Sequence, residues 1–262
     1  MRGLKGKIAA VTGAGSGIGQ AAARRLAEEG CSVAILEWKE AAANDTLRQI
    51  TAAGGKATAI IVDVGKEDEV KAAFDKVVEA YGRLDILVSN AGIFSATDDG
   101  KVDRLRKEIW DEIIRVNQTG MYLACKYGVG AIKATAKSGA VVITGSPTGM
   151  LGCTPASIAY SSSKAGVHGI ARVMAIDYAL EGIRVNVVVP GFTLSPIVHE
   201  LVADPAVLEW NLRNIPMRRG AQPDEIAGAV AFLASDDASY MTGSFVIVDG
   251  GLTESGDERG AR

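Results

Sequence analysis

The sequence is poor in the residues that build metal centres and disulfide frameworks. It has 3 cysteines, Cys31, Cys125 and Cys153, and 2 histidines, His168 and His199, among 262 residues. The cysteines lie far apart, and no CxxC or Cys/His cluster occurs. No metal site is expected, and reduced thiols in a cytoplasmic protein are. No apolar run approaches the roughly 20 residues that span a bilayer. The start, "MRGLKGKIAAVTG", lacks the apolar stretch of a signal peptide. An excess of one charge is missing too: the formal net charge is −3, with both signs interspersed. That argues against a nucleic-acid or membrane partner.

What is present is apolar substance, 48% of the chain, enough for one large domain over residues 1–253. Short apolar runs, "KIAAVT" (7–12), "SVAILE" (32–37), "ATAIIVD" (57–63), "LDILVSN" (84–90), "GAVVIT" (139–144), "IRVNVVV" (183–189) and "SFVIVD" (244–249), read as strands buried on both faces. Amphipathic segments such as 19–30 and 67–82 alternate with them and end at glycine. The alternation predicts an α/β, doubly wound fold with a parallel sheet and helices on both faces. The tail 254–262 is polar and expected to fray. The charged stretch 93–110 is expected to be a solvated surface excursion.

"TGAGSGIG" (12–19) follows the first strand and opens the first helix. Gly13 permits the tight turn, Gly17 lets backbone approach a diphosphate, and Gly19 allows close packing, with the anion at the helix N-terminus. "TGSPTG" (144–149) also follows a strand, but Pro147 interrupts it and no amphipathic helix comes next; it reads as a site loop. Glu37 ends the second strand, where an acid grips ribose hydroxyls and repels a 2′-phosphate; a solvated strand-end acid is the plainer alternative. Ser16 and Trp38 stand where a phosphate-binding arginine would help, which favours NAD; Lys39 next door favours NADP. Asp63 either bonds an adenine amino group or caps the next helix.

Two tyrosines precede a lysine by four residues, in "YLACK" (122–126) and "YSSSK" (160–164). On a helix each pair shares a face, and an ammonium beside a phenol lowers the phenol's pKa.

The ordered set "TGAGSGIG", Asp63, "NAG" (90–92), Asn117 in "VNQTG", Ser146, "YSSSK", "PG" (190–191) and "VDGG" (248–251) resembles the short-chain dehydrogenase/reductase family over about residues 5–252. The resemblance implies one Rossmann-type domain with a seven-stranded parallel sheet, hydride transfer between a nicotinamide and a carbinol carbon, and a homotetramer. Tyr160 lies 14 residues after Ser146, the family's serine–tyrosine spacing, whereas Tyr122 falls on a helix that the family packs against neighbouring subunits. By this resemblance Tyr160 is the acid/base on the substrate oxygen, Lys164 lowers its pKa and bonds the nicotinamide ribose, Ser146 orients the substrate, and Asn117 holds a water that continues a proton path. Ile18, Val64, Asn90, Ala91, Gly92, Pro190, Gly191, Thr193 and Ser195 join the cofactor contacts; Thr193 and Ser195 read equally as turn hydroxyls. The family often has serine before its active serine, where this chain has Gly145. His168 reads as packed or interfacial. The uncharged stretch 149–159 and a lid over about 192–215, with Phe192, Leu194, Ile197, Leu201 and Trp210, imply an uncharged secondary alcohol or ketone. The competing expectations are an NADP-preferring biosynthetic ketoreductase and a catalytically silent dinucleotide-binding regulator.

Overall fold

A computed structural model describes residues 1–255; the remainder of the expected frayed tail, 256–262, lies outside the described residues. Each of the seven apolar runs forms a strand: β1 (Ile8–Thr12), β2 (Ser32–Glu37), β3 (Lys56–Ile61), β4 (Ile86–Ser89), β5 (Gly139–Thr144), β6 (Ile183–Pro190) and β7 (Phe245–Val248). They make one sheet in the order β3-β2-β1-β4-β5-β6-β7, with every pair parallel. The runs are continuously apolar because both faces are covered. Ile8 and Ala10 of β1 enter one core with Leu36, Leu87 and Ile143; Ala9 and Val11 enter the other with Ile35, Val88 and Val142. The two-residue side-chain period of a strand thus serves two helix layers at once.

The first core lies under α3 (Glu67–Tyr81), α5 (Gly120–Thr135) and α6 (Ile158–Asp177). The second lies under α1 (Gly17–Glu28), α2 (Glu40–Ala52) and α9 (Pro223–Ala234). The 15-residue α3 shows why such segments are helical. Its first turn carries Glu67, Asp68 and Glu69, which complement the helix dipole. Its buried residues Val70, Ala73, Phe74 and Val77 share one face. Gly82, at φ 74°, ends it by donating to the Val78 carbonyl.

β1 pairs with β2 on one side and with β4 on the other, so the chain reverses its winding direction there and leaves a crevice at the strands' C-terminal ends. Three segments run over that crevice: residues 90–106 before α4 (Lys107–Ile114), residues 145–157 before α6, and the stretch after β6 with α7 (His199–Ala203) and α8 (Pro205–Arg213). Between α4 and α5 the helix widens into a π turn, Arg115–Thr119, that contains Asn117. No helix among the described residues is long and apolar enough to cross a membrane.

Candidate active site

The glycine loop is built for close backbone approach. Gly13 and Gly17 have φ of 64° and 52°, a region costly for any residue with a Cβ. A Cβ on Gly13 would lie 2.8 Å from the Ala91 Cα, and one on Gly19 would lie 2.1 Å from the Gly13 carbonyl oxygen. Gly19 therefore packs on the turn itself. No side chain caps α1 and no acid stands in its first turn, so the positive end of the helix faces the crevice. Thr12 and Asn90 lock the floor. Thr12 Oγ1 accepts from the Asn90 and Ala91 N–H groups at 3.0 and 3.1 Å. Asn90 Nδ2 donates to the Thr12 carbonyl at 3.2 Å, and Asn90 Oδ1 accepts from Thr144 at 3.1 Å. Three parallel strands are tied together at their ends.

A cleft of about 550 Å³ runs from this loop along the strand ends. Gly13, Ser16, Gly17, Ile18, Glu37, Trp38, Asp63 and Val64 line one part of it, and Asn90, Ala91, Gly92, Tyr160, Lys164, Pro190, Gly191, Thr193 and Ser195 line the other. Gly19 lies beneath the cleft rather than in its wall. Glu37 is only 7% exposed. Its carboxylate accepts from the Gly15 N–H at 3.0 Å and the Lys39 N–H at 3.1 Å, and a Cβ on Gly15 would lie 2.8 Å from its Cδ. It is a fixed acid rather than a solvated strand end. Lys39 Nζ sits 4.8 Å from the centre of the exposed Trp38 ring.

Asp63 is claimed by a residue that the sequence did not single out. The Arg115 guanidinium donates to both its oxygens at 3.0 Å and also holds Glu112. Burial alone would raise the Asp63 carboxyl, but the Gly65 N–H and Arg115 outweigh it and leave the pKa below the ordinary value. Asp63 therefore neither caps α3 with its side chain nor stands as a free acid.

The structure brings together the four residues expected to carry the chemistry. Lys164, 4% exposed, points its ammonium at the Thr144 carbonyl, 2.9 Å away, and lies 5.8 Å from the Tyr160 ring centre. Burial lowers its pKa to about 8. Burial also pushes Tyr160 up to about 12, with the Ser146 side chain pulling it partly back. Burial dominates the phenol in this geometry, and the Lys164 ammonium is not among the groups that shift it. Asn117 spends its side chain on structure: Nδ2 donates to the Ile93 carbonyl at 2.9 Å and to Ser163 at 3.1 Å, and Oδ1 accepts from the Ile93 N–H at 2.7 Å. These bonds fasten the post-β4 segment to α6 and leave Oδ1 with one acceptor site to spare.

Ser146 begins a tight turn over Pro147–Gly149 and shares a 2.9 Å hydrogen bond with Thr148. Its backbone N–H donates to His168 Nε2 at 3.3 Å, so His168 supports the serine from below. Burial, together with the charges of Lys164 and Arg172, lowers His168 to about 4 against a smaller opposing contact with Gly149. The ring stays neutral and remains an acceptor at ordinary pH.

The 93–110 stretch is not wholly a solvated excursion. Asp99 is buried, and its carboxylate accepts from the Ala159 and Tyr160 N–H groups at the start of α6. Phe94 meets the Tyr160 ring edge-on at 5.1 Å. No local pattern marked either residue. The second tyrosine has a different setting: Tyr122 is 47% exposed on α5, and Lys126 pairs with Glu67 at 2.7 Å instead.

Beyond Tyr160 and Ser146 a second cavity of about 910 Å³ opens. Phe94, Leu151, Cys153, Phe192, Ile197, Leu201 and Trp210 supply an apolar wall, while Asn211, Arg213, Asn214 and Arg218 stand on the α8 side. Leu194 instead packs towards Gly220. Among the described residues no group of three or more His, Cys, Asp or Glu is placed to hold a metal ion.

The cleft suits a dinucleotide. The uncapped helix end fits a diphosphate, the glycines leave room for it, and Glu37 fits vicinal hydroxyls. Residues 13–253 match a family model described as enoyl-(acyl carrier protein) reductase. The chain is 41% identical, over 95% of both chains, to 3beta-hydroxysteroid dehydrogenase 1 of Eggerthella lenta. It is 42% identical to cis-4-hydroxycyclohexanecarboxylate dehydrogenase of Sinomonas cyclohexanicum, covering 94% of this chain and 96% of that one. The crystal structure of a gluconate 5-dehydrogenase from Burkholderia cenocepacia in complex with NADP and tartrate superposes with a TM-score of 0.90 at 32% identity, over 96% of this chain and 97% of that one. With its parallel seven-stranded sheet, its glycine turn and these relatives, the chain belongs to the short-chain dehydrogenase/reductase family.

Proposed function

We propose that the chain oxidises an uncharged secondary alcohol, or reduces the matching ketone, with NAD(H), using Tyr160 as the acid/base. The observation that carries this reading is the place of Tyr160 and Ser146, which line both the glycine-loop cleft and the apolar cavity. A nicotinamide dinucleotide bound in the cleft supplies the hydride acceptor for the alcohol, or the donor for the ketone.

The chain's own residues manage the oxygen. In reduction, the Tyr160 phenol gives its proton to the carbonyl oxygen as that oxygen gains negative charge. In oxidation, the phenolate takes the alcohol proton. A phenol raised to about 12 is fully protonated at neutral pH, which suits the acid role. Ser146, on its short turn, donates to the same oxygen and stabilises charge there. Lys164, fixed on the Thr144 carbonyl, holds its ammonium 5.8 Å from the centre of the Tyr160 ring. Asn117 holds the Ile93 backbone and Ser163, and so keeps the floor beside Lys164 in place.

The fixed carboxylate of Glu37 supports NAD over NADP, since a 2′-phosphate there would meet a buried negative charge. The apolar cavity wall, and relatives whose names specify ring alcohols, support an alicyclic substrate. Val173, Ile176 and Leu180 are exposed along α6 and just beyond it, which supports the homotetramer that the family resemblance implies. The test is a panel of secondary alcohols and ketones, cyclohexanol among them, assayed with NAD(H) and NADP(H). No turnover of any member would refute the enzyme reading and revive a silent dinucleotide-binding regulator.

A further inference from the structure

The helix that carries Tyr160 lacks a cap of its own. Its N-cap residue, Ser157, makes no side-chain hydrogen bond to the first turn; its hydroxyl donates back to the Pro155 carbonyl at 3.3 Å. The acceptors come from a distant segment. Asp99 Oδ1 accepts from the Ala159 N–H at 3.1 Å, and Oδ2 accepts from the Tyr160 N–H at 3.0 Å. Oδ1 also accepts from Gly100 N–H at 2.8 Å, which fixes the carboxylate within its own loop. Asp99 is only 5% exposed, so these bonds are shielded from water. Five residues earlier, Phe94 sets its ring edge-on to Tyr160, at 5.1 Å and 74°. One segment therefore grips both the backbone and the ring of the same tyrosine.

We propose that Asp99 is a positioning residue for Tyr160, fixing the start of α6 so that the phenol keeps its place beside Ser146. This rests on the reading of Tyr160 as the acid/base. The geometry gives the reason. Lys164 is anchored one turn further along α6 by the Thr144 carbonyl. The first turn has no comparable anchor from its own sequence, and its orphan N–H groups need acceptors. A carboxylate there meets two of them and also complements the positive end of a 20-residue helix. Without it the first turn loosens, and the phenol shifts relative to an oxygen it must meet within hydrogen-bond distance.

The test compares Asp99→Ala, Asp99→Asn and Tyr160→Phe in the full chain, with cyclohexanol and NAD as probes. Asp99→Ala should lower kcat by about 10- to 100-fold, the scale of an ångström-sized misplacement. The KM for cyclohexanol and the affinity for NADH, read by fluorescence, should stay within about twofold, since Asp99 itself lines neither the cleft nor the cavity. Asp99→Asn keeps one acceptor and should fall between Asp99→Ala and the unmutated protein. It also serves as the informative variant if Asp99→Ala does not fold. Amide exchange at Tyr160 should quicken in the same order. Unchanged kcat in the Asp99 variants, with Tyr160→Phe inactive, would overturn the proposal and leave the proposed function standing. A loss confined to KM or to NADH affinity would overturn it equally. Turnover retained in Tyr160→Phe would overturn both.

Discussion

The His168 ring fills the space that Gly145 leaves open. A Cβ at position 145 would lie 2.4 Å from His168 Nε2 and 2.7 Å from Val187, and that same Nε2 accepts the Ser146 N–H. The missing side chain at 145 makes room for the ring that supports the next residue. The serine that the family often carries here is incompatible with His168 in this position.

Gly145→Ser should therefore overpack the site. The expected loss is about 1–3 kcal/mol of stability, read by denaturant unfolding, together with reduced kcat as Ser146 is pushed aside. Adding His168→Ala should return part of both, a coupling that a double-mutant cycle measures. Strict additivity of the two changes would show that the residues do not compete for this space.

His168 also predicts an acid limit. Its folded pKa, about 4, lies below the ordinary 6.5 because burial disfavours the imidazolium. Between these values the unfolded chain binds a proton that the folded chain does not, so stability falls as pH drops from about 6.5 to 4. In His168→Gln this slope should be shallower than in the unmutated protein. Matching Tm-against-pH curves would show that the ring is not held neutral.

Lys164 predicts a conflict between stability and activity. Its folded pKa of about 8, against an ordinary 10.5, means that burying the ammonium opposes folding at neutral pH. The shift corresponds to about 3 kcal/mol. Lys164→Met should raise Tm at pH 7 while abolishing turnover. The advantage should shrink as pH climbs from 8 to 10.5, because the unfolded lysine then loses its proton too. A less stable Lys164→Met at pH 7 would contradict this.

Glu37 predicts cofactor choice. Replacing it with alanine removes a fixed carboxylate and leaves the Gly15 and Lys39 N–H groups without their acceptor. The ratio of kcat/KM for NAD(H) over NADP(H) should fall by about tenfold or more, equal to 1.4 kcal/mol. An unchanged ratio would move the discrimination to Trp38 or Lys39.

The parts of this architecture that repeat are legible in the sequence. Seven continuous apolar runs gave seven strands, because sheet faces buried on both sides leave no polar alternation to confuse the pattern. The glycine loop is legible because backbone clearance demands glycine itself. The contacts that escaped reading are single bonds between remote segments: Asp99 to Tyr160, Arg115 to Asp63, His168 to Ser146, Lys164 to the Thr144 carbonyl. Each joins a side chain to a partner with which it shares no period or motif. The direction of the Lys164 ammonium escaped for a related reason. One-turn spacing places two side chains on a shared face, but burial and a nearby carbonyl decide where the ammonium points.

The same spacing makes the two tyrosines a direct test of the site. Tyr160 lies between the two cavities beside Ser146, and Tyr122 lies on the open face of α5 with its lysine engaged by Glu67. Tyr160→Phe keeps the ring that Phe94 packs against and removes only the hydroxyl. NADH binding should survive, and turnover should fall by about 10² to 10⁴, the usual contribution of general acid–base catalysis. Tyr122→Phe should leave turnover within about a few-fold, because nothing on α5 at that point faces the cleft. The pH dependence separates the two directions. Ketone reduction uses the neutral phenol and should stay flat across neutral pH. Alcohol oxidation uses the phenolate of a group raised to about 12, so its rate should climb through the alkaline range without levelling off at neutrality. Steady-state turnover of both mutants, with oxidation and reduction followed from pH 6 to about 10, decides the matter. A dead Tyr122→Phe or an active Tyr160→Phe would place the proton on a different group, whereas oxidation already flat at pH 7 would show that positive charge in the loaded site lowers the phenol.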